Sequence, residues 1–120
     1  MLGSVVLMPH ARRREALRAQ LHSRDLDALL VTDLVNVRYL TGFTGSNAAL
    51  LVDAGGEEHT VFCTDGRYDA QSRRQVPDLR RVIERAGDLW LAKEATERGV
   101  DRWASRATWS RSTRTPPWPR

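Results

Sequence analysis

The chain has 120 residues, of which 41% are hydrophobic and 28% are charged, a composition ordinary for a soluble globular domain. This length allows one domain with a modest core and excludes two. No apolar run approaches the roughly 20 residues that a membrane-spanning helix needs. The apolar residues 1–8 lack both a basic segment before them and a small-residue cleavage site after them. We therefore expect a cytoplasmic protein that makes no membrane contact.

The net charge of +4 is concentrated at the C-terminal end. Residues 102–120 contain five arginines and no acid, which leaves 14 basic against 15 acidic groups in residues 1–101. The same segment has no Leu, Ile, Val or Phe, yet it holds three of the four tryptophans and three of the five prolines. Such a segment cannot bury enough apolar surface to offset the entropy of ordering it. We predict that residues 102–120 form a disordered basic tail.

The first half of the body predicts a helix, a buried strand and a polar loop. Residues 11–23 favour a helix with Leu17 and Leu21 on one face, and the arginines around them predict a solvated opposite face. Those arginines are Arg12, Arg13, Arg14, Arg18 and Arg24. The unbroken apolar run at 28–31 is typical of a strand buried on both faces. Residues 33–40 suit one or two helical turns, and residues 41–47 suit a loop.

The second half predicts a hairpin followed by a helix, a strand and a helix. Residues 48–52 and 60–63 have strand patterns, and the segment between them has turn chemistry. We expect Asp65 to cap a helix over 66–75. Residues 79–83 predict a weaker strand, and residues 88–98 a helix that stops at Gly99. This order predicts an α/β fold with helices packed on a mixed β-sheet, over residues 11–101.

Neither a metal site nor a catalytic site is evident. The histidines His10, His22 and His59 stand in unrelated contexts, and no His/Asp/Glu cluster has metal-ligand spacing. The single cysteine, Cys63, cannot form an internal disulfide, and its strand setting favours a small buried side chain over a nucleophile. Ser46 does not lie in a nucleophile-elbow sequence. We predict no catalytic residue, no metal ligand and no cofactor in this chain.

Two motifs on either side of the hairpin resemble a known family. Residues 36–47, Asn-Val-Arg-Tyr-Leu-Thr-Gly-Phe-Thr-Gly-Ser-Asn, and residues 64–68, Thr-Asp-Gly-Arg-Tyr, resemble the N-terminal domain of creatinase, prolidase and Xaa-Pro aminopeptidases. Residues 26–31 resemble the first strand of that domain. The resemblance covers about residues 11–101. It implies a two-domain metallopeptidase whose C-terminal, pita-bread half holds two divalent metal ions, and that half is absent from this chain.

The resemblance also implies where functional residues lie. In the family, the N-terminal domain shapes the mouth of the active site and mediates oligomer contacts, so we expect self-association or association with a full-length relative. The candidate mouth or contact positions are Phe43, Thr44, Ser46, Asn47, Arg67 and Tyr68. Asn36, Tyr39, Gly42, Gly45, Asp65 and Gly66 form the structural part of the motif. Each position also has a purely structural alternative, such as a turn, a helix cap, an ion pair or core packing.

The sequence is compatible with two other functions. Arginine neutralises phosphate and tryptophan stacks on bases, so the tail would suit a small nucleic-acid binder; the near-neutral body argues against this, and we do not expect nucleic acid as a partner. The second alternative is an independent hydrolase that uses Ser46 or Cys63 as its nucleophile, with His59 as the only histidine nearby in the sequence.

The composition of the tail is also typical of GC-rich coding sequence translated out of frame. One base restored within the codon for Arg102 allows Val-Gly-x-Glu followed by x-x-Val-Val, which suits a further strand. We therefore hypothesise that the tail is frameshifted and that the domain is incomplete at its C-terminal end. The coding nucleotides test this: an alternative frame after Asp101 is expected to encode family-like sequence, and a gene without such a frame rejects the hypothesis.

Overall fold

The computed structural model describes residues 9–105 and has an α/β fold, which confirms the predicted class. Four helices and five strands follow one another as α1 Pro9–Ser23, β1 Ala28–Val31, α2 Leu34–Thr41, β2 Ala48–Asp53, β3 Val61–Thr64, α3 Asp69–Gln75, β4 Arg80–Ile83, α4 Gly87–Glu97 and β5 Trp103–Ser105. Two short 3₁₀ turns, Glu57–His59 and Gly66–Tyr68, precede β3 and α3.

The five strands form one mixed sheet in the order β4-β3-β2-β1-β5. β2 is antiparallel to both β1 and β3, so the predicted hairpin is confirmed, whereas β5 is parallel to β1 and β4 is parallel to β3. In this arrangement the carboxyl ends of β1, β3, β4 and β5 lie at the same end of the sheet as the start of β2. The segments that join these strand ends are therefore neighbours in space.

Helices cover both faces of the sheet. Residues of α1 and α2 pack on one face, where Leu17 and Val37 share a buried cluster with Leu29 and Phe62. Leu91 of α4 lies in a second cluster on the opposite face, together with alternate strand residues. Successive side chains of a strand point to opposite faces. Because both faces are covered, β1 and β2 are continuous apolar runs rather than alternating ones.

The helix α2 has 8 residues, which is about two turns as predicted, and it has a cap at each end. The side chain of Asp33 accepts a hydrogen bond from the backbone N–H of Asn36 at 3.2 Å. At the other end Gly42 has φ of +83°, and its N–H donates to the carbonyl oxygen of Arg38 at 2.8 Å. Glycine adopts this left-handed conformation without the strain that a Cβ introduces.

The single helix predicted over residues 66–75 is wrong in its first turn. Asp65 does act as a cap, since its carboxylate accepts from the backbone N–H of Arg67 at 3.0 Å. The residues that it caps, Gly66–Tyr68, form a 3₁₀ turn, and the α-helix begins at Asp69. A tight turn of this kind is common at a helix N-terminus.

The predicted boundary at residue 101 is also wrong, because Trp103–Ser105 pair with β1 as a parallel edge strand. Strand pairing uses backbone groups, and the inward-facing residue, Ala104, is small and only 3% exposed. Arg102 anchors the strand through ion pairs with Asp25 and Asp27. A short edge strand thus needs no long apolar pattern. Residues 106–120 lie outside the described residues, so disorder there stays a prediction.

Arg14 corrects the prediction that the arginines of the first helix form a solvated face. Its side chain is 0% exposed. The guanidinium donates to the Glu57 carboxylate from Nη2 at 2.7 Å, to the Leu40 carbonyl oxygen from Nη1 at 2.7 Å, and to Asp78. Burial alone lowers the pKa of Arg14, but the two carboxylates outweigh it and raise the pKa. Arg12, by contrast, is exposed.

Removing this guanidinium is expected to destabilise the fold. Arg14→Met removes the ion pair of Asp78 and one of the two ion pairs of Glu57, which keeps Arg18, and because each carboxylate side chain is 34% exposed, water replaces part of the lost contact. We expect the free energy of unfolding to fall by about 2 to 4 kcal/mol, measured by urea denaturation. The control Arg12→Met, on the exposed side of the same helix, should change it by less than about 0.5 kcal/mol. Equal urea midpoints for Arg14→Met and wild type would contradict this account.

Candidate functional site

The candidate residues gather at the end of the sheet where the carboxyl ends of β3 and β4 lie. Residues 43–47 lead into β2, residues 65–68 follow β3, and Glu84 and Arg85 follow β4. In open α/β sheets, loops at the carboxyl ends of strands commonly form ligand sites. Here they border a surface groove of about 600 Å³. The groove is lined by Asn47, Asp65, Gly66, Arg67, Ile83, Glu84 and Arg85.

Asp65 is the centre of the polar contacts in this groove. Its Oδ1 accepts from Arg67 Nε at 2.9 Å, while its Oδ2 accepts from Arg67 Nη2 at 2.9 Å and from Asn47 Nδ2 at 2.8 Å. The hydrogen bonds from Arg67 and then Asn47 hold the pKa of Asp65 well below its ordinary value. Asp65 is buried, whereas the Arg67 side chain is 67% exposed. The pair therefore presents a fixed guanidinium at the surface.

A second contact joins the loop before β2 to the turn after β3. The Ser46 hydroxyl lies 2.6 Å from the Tyr68 hydroxyl, and this hydrogen bond lowers the pKa of Tyr68. The Arg67 guanidinium stands 5.1 Å from the centroid of the Tyr68 ring. Asn47 adds a further link, because its Nδ2 also donates to the backbone carbonyl of Arg85 at 3.2 Å. Four of the six predicted contact positions are thus neighbours: Ser46, Asn47, Arg67 and Tyr68.

Phe43 does not belong with them at the surface. It is 1% exposed, and its ring packs edge-on against Phe62 at 4.9 Å and Tyr68 at 5.5 Å between centroids. A Cβ on Gly45 would lie 2.4 Å from Phe43 Cζ, so glycine is required there by close packing. Phe43 therefore supports the surface from beneath, and the expectation that it faces a ligand is wrong because its ring fills the core.

Thr44 makes contacts that the sequence did not predict. Its backbone N–H donates to Gln75 Oε1 at 3.0 Å, and its hydroxyl accepts from Gln75 Nε2 at 3.0 Å and from Gln71 Nε2 at 3.1 Å. Gln71 and Gln75 are four residues apart on α3 and so share one face. That spacing was the only feature of the sequence that could have identified them.

The structural part of the motif is divided between this groove and α2. Asn36 is buried, and its Nδ2 donates to Asp33 Oδ2 at 2.7 Å at the start of the helix. Tyr39 and Gly42 border a different groove, between α1 and α2. Gly66 has open space around its Cα, so no close approach requires glycine there. Residues 36–42 of the motif thus form most of α2 and its C-terminal cap, and only residues 43–47 lie at the candidate site.

The arrangement offers hydrogen-bonding groups but no nucleophile paired with a base. Cys63 is buried, and desolvation raises the pKa of its thiol to about 11, so little thiolate forms at neutral pH. The Ser46 hydroxyl is hydrogen-bonded to a phenol rather than to a histidine. In residues 9–105 no three His, Cys, Asp or Glu side chains are grouped so that they could hold a metal ion. A dinuclear metal centre therefore does not fit the residues that the structure describes.

The sheet topology defines an α/β domain with a polar groove at one end of its sheet. The sequence profile described as the Creatinase/Prolidase N-terminal domain matches residues 13–112. The chain therefore belongs to the creatinase/prolidase N-terminal domain family. Across residues 9–105, none of the helices is long and apolar enough to cross a membrane.

Similar proteins include both solved structures and a curated sequence. The N-terminal domain of the cytoplasmic peptidase PepQ from Mycobacterium tuberculosis is 49% identical, with a TM-score of 0.77 over 81% of this chain and 74% of that one. An Xaa-Pro aminopeptidase structure from Streptococcus pyogenes is 28% identical, with a TM-score of 0.73 over 85% of this chain and 78% of that one. The Bacillus subtilis peptidase YqhT, itself uncharacterized, is 43% identical over 75 residues, which are 62% of this chain and 20% of YqhT. The match thus spans about a fifth of that curated relative.

The coupling of Asp65 to Arg67 predicts a pH dependence. Arg67→Gln removes the largest cause of the lowered pKa, so the pKa of Asp65 should rise toward the ordinary value of about 3.9, measured from the ¹³C shift of its carboxylate. Since the folded pKa in the wild type lies below the unfolded one, Asp65 stabilises the fold above the unfolded pKa. That contribution is lost as the pH falls through the folded pKa. Arg73→Gln, which removes a partner of Asp69 instead, is the control. An unchanged Asp65 pKa in Arg67→Gln would refute the coupling.

Proposed function

We propose that the chain is a non-catalytic N-terminal domain of an Xaa-Pro aminopeptidase or prolidase-like metallopeptidase, and that it shapes the mouth of the active site. The family membership and the 28% identity to an Xaa-Pro aminopeptidase support this assignment. The non-catalytic role rests on chemistry, because metal-assisted hydrolysis needs several ligands that converge on the metal ions. The two divalent metal ions of the family, and the hydrolysis that they would support, would belong to a catalytic domain.

The observation that carries the proposal is the exposed guanidinium of Arg67, held by Asp65 and flanked by Tyr68. Arg67 is fixed through two hydrogen bonds to a buried carboxylate, so it would lose little side-chain entropy on contact with a ligand. Its remaining donors suit a carbonyl or carboxylate of a peptide. Ser46 and Asn47, which are joined to Tyr68 and Asp65, would complete the rim.

Contact with a second chain is the other part of the proposal. Ile83 is 39% exposed beside the same groove, and Leu89 of α4 is 69% exposed. An exposed apolar side chain such as Ile83 beside a fixed cation suits an interface with a second copy or with a full-length relative, since interface cores are apolar and arginine is enriched there. The cytoplasmic description of the Mycobacterium tuberculosis peptidase favours the same location for this chain.

The non-catalytic role is tested by assaying the purified chain alone. With Mn²⁺ or Co²⁺ and an Xaa-Pro peptide, we expect no hydrolysis above the buffer blank, because the described residues hold no metal-binding cluster. Metal-dependent turnover that follows the chain through purification, and that is free of contaminating peptidase, would overturn the assignment.

The mouth role is tested in a full-length family member that has the same Gly-Arg-Tyr sequence after its third strand. Replacement of the arginine that corresponds to Arg67 by glutamine should lower kcat/KM by about tenfold, which corresponds to the loss of one charge-assisted hydrogen bond of roughly 1.4 kcal/mol. The matched control is the exposed arginine that corresponds to Arg74. Equal kcat/KM values for the two variants would remove the mouth role while leaving the family membership intact.

A further inference from the structure

Most arginines of the described residues form an ion pair with a carboxylate. Those with an ion pair to a carboxylate are Arg14, Arg18, Arg67, Arg73, Arg80, Arg81, Arg98 and Arg102. Within residues 9–105, Arg12, Arg13, Arg38, Arg74 and Arg85 have no such pair, and the first three border the surface between α1 and α2. Three arginines that lack a carboxylate partner thus share one surface of a body that is nearly neutral overall.

This surface is concave. A groove of about 410 Å³ lies between α1 and α2, and a second recess of about 340 Å³ shares Arg13 and Tyr39 with it and adds Arg12. The larger groove is bordered by His10, Arg13, Val35, Arg38, Tyr39 and Thr44. Neither lining includes an aspartate or a glutamate. A ligand in the groove would therefore meet three basic side chains and no acidic one.

Two of the basic groups are held in place. Arg13 Nη1 donates to the Tyr39 carbonyl oxygen at 3.0 Å, and its guanidinium lies 4.3 Å from the centroid of the Tyr39 ring. His10 Nδ1 lies 3.2 Å from the same carbonyl oxygen. A Cβ at Gly42 would lie 2.8 Å from His10 Nε2, so the glycine leaves room for the imidazole. The groove is therefore largely formed before any ligand arrives.

We propose that this groove binds an oxyanion, a carboxylate or a phosphate monoester, on a small molecule with an aromatic or apolar body. The guanidinium groups match the planar fork of a carboxylate or two oxygens of a phosphate. Val35, which is 62% exposed, and the Tyr39 ring supply an apolar wall for the body of the ligand. Binding here does not depend on the mouth role of Arg67, which lies in a separate groove.

The test is an NMR titration of the ¹⁵N-labelled chain with benzoate, phenyl phosphate and the neutral isostere benzamide. We expect saturable shifts of the backbone amides of Arg13, Arg38 and Gly42 with the two anions, weaker at high sodium chloride, and none with benzamide. The tighter of the two anions identifies the oxyanion as a carboxylate or a phosphate. Shifts of equal size with benzamide would overturn the proposal.

Matched variants separate a built site from general attraction to a basic protein. Arg38 and Arg74 are both exposed helix arginines without an ion pair in the described part of the chain, so neither substitution should unfold it. Arg38→Gln should weaken binding of the tighter anion by about fivefold or more, while Arg74→Gln should leave it unchanged. Overlapping titration curves for Arg38→Gln and wild type, or an equal loss with Arg74→Gln, would overturn the proposal. The ¹⁵N spectrum of each variant reports that it is folded.

Discussion

The buried guanidinium of Arg14 is the contact on which the rest of the structure depends. It lies in α1 and hydrogen-bonds to the end of α2 at Leu40, to the β2–β3 connection at Glu57 and to the α3–β4 connection at Asp78. One side chain thus ties together four segments that are distant in sequence. A buried charge is tolerated only when its partners are in place, so the guanidinium also disfavours arrangements in which any of these segments moves away.

With these segments tied together, polar loops meet at one end of the sheet. The antiparallel pairing of β2 with β3 brings the loop at residues 43–47 beside the turn at 65–68, and Asp65 then joins Asn47 to Arg67. On the side of α1 and α2 the same loop borders the basic groove through Thr44. Two surfaces of different chemistry therefore share one loop. At the first, the charge of Arg67 is paired with Asp65, and at the second, Arg13 and Arg38 have no carboxylate partner among the described residues.

Much of this organisation follows from local sequence patterns. The continuous apolar runs of β1 and β2 and the turn chemistry between β2 and β3 were sufficient to predict these strands and their hairpin, and Asp65 was correctly predicted as a cap. The family resemblance, rather than a local pattern, named Ser46, Asn47, Arg67 and Tyr68 among the candidate contact positions, and the structure brings these four together. The glutamines of α3 that hold Thr44 were missed, because a polar pair on a helix face is ordinarily solvated.

The sequence by itself determined the α/β class and the order of the elements, because propensity, capping and apolar pattern act between near neighbours. Only the tertiary structure decided that Arg14 is buried, that Phe43 lies under the loop, and that residues 103–105 join the sheet. Each of these outcomes depends on a partner distant in the chain: two carboxylates, an aromatic ring or a strand edge. Local pattern does not specify which distant groups will meet, since that is set by the packing of whole elements.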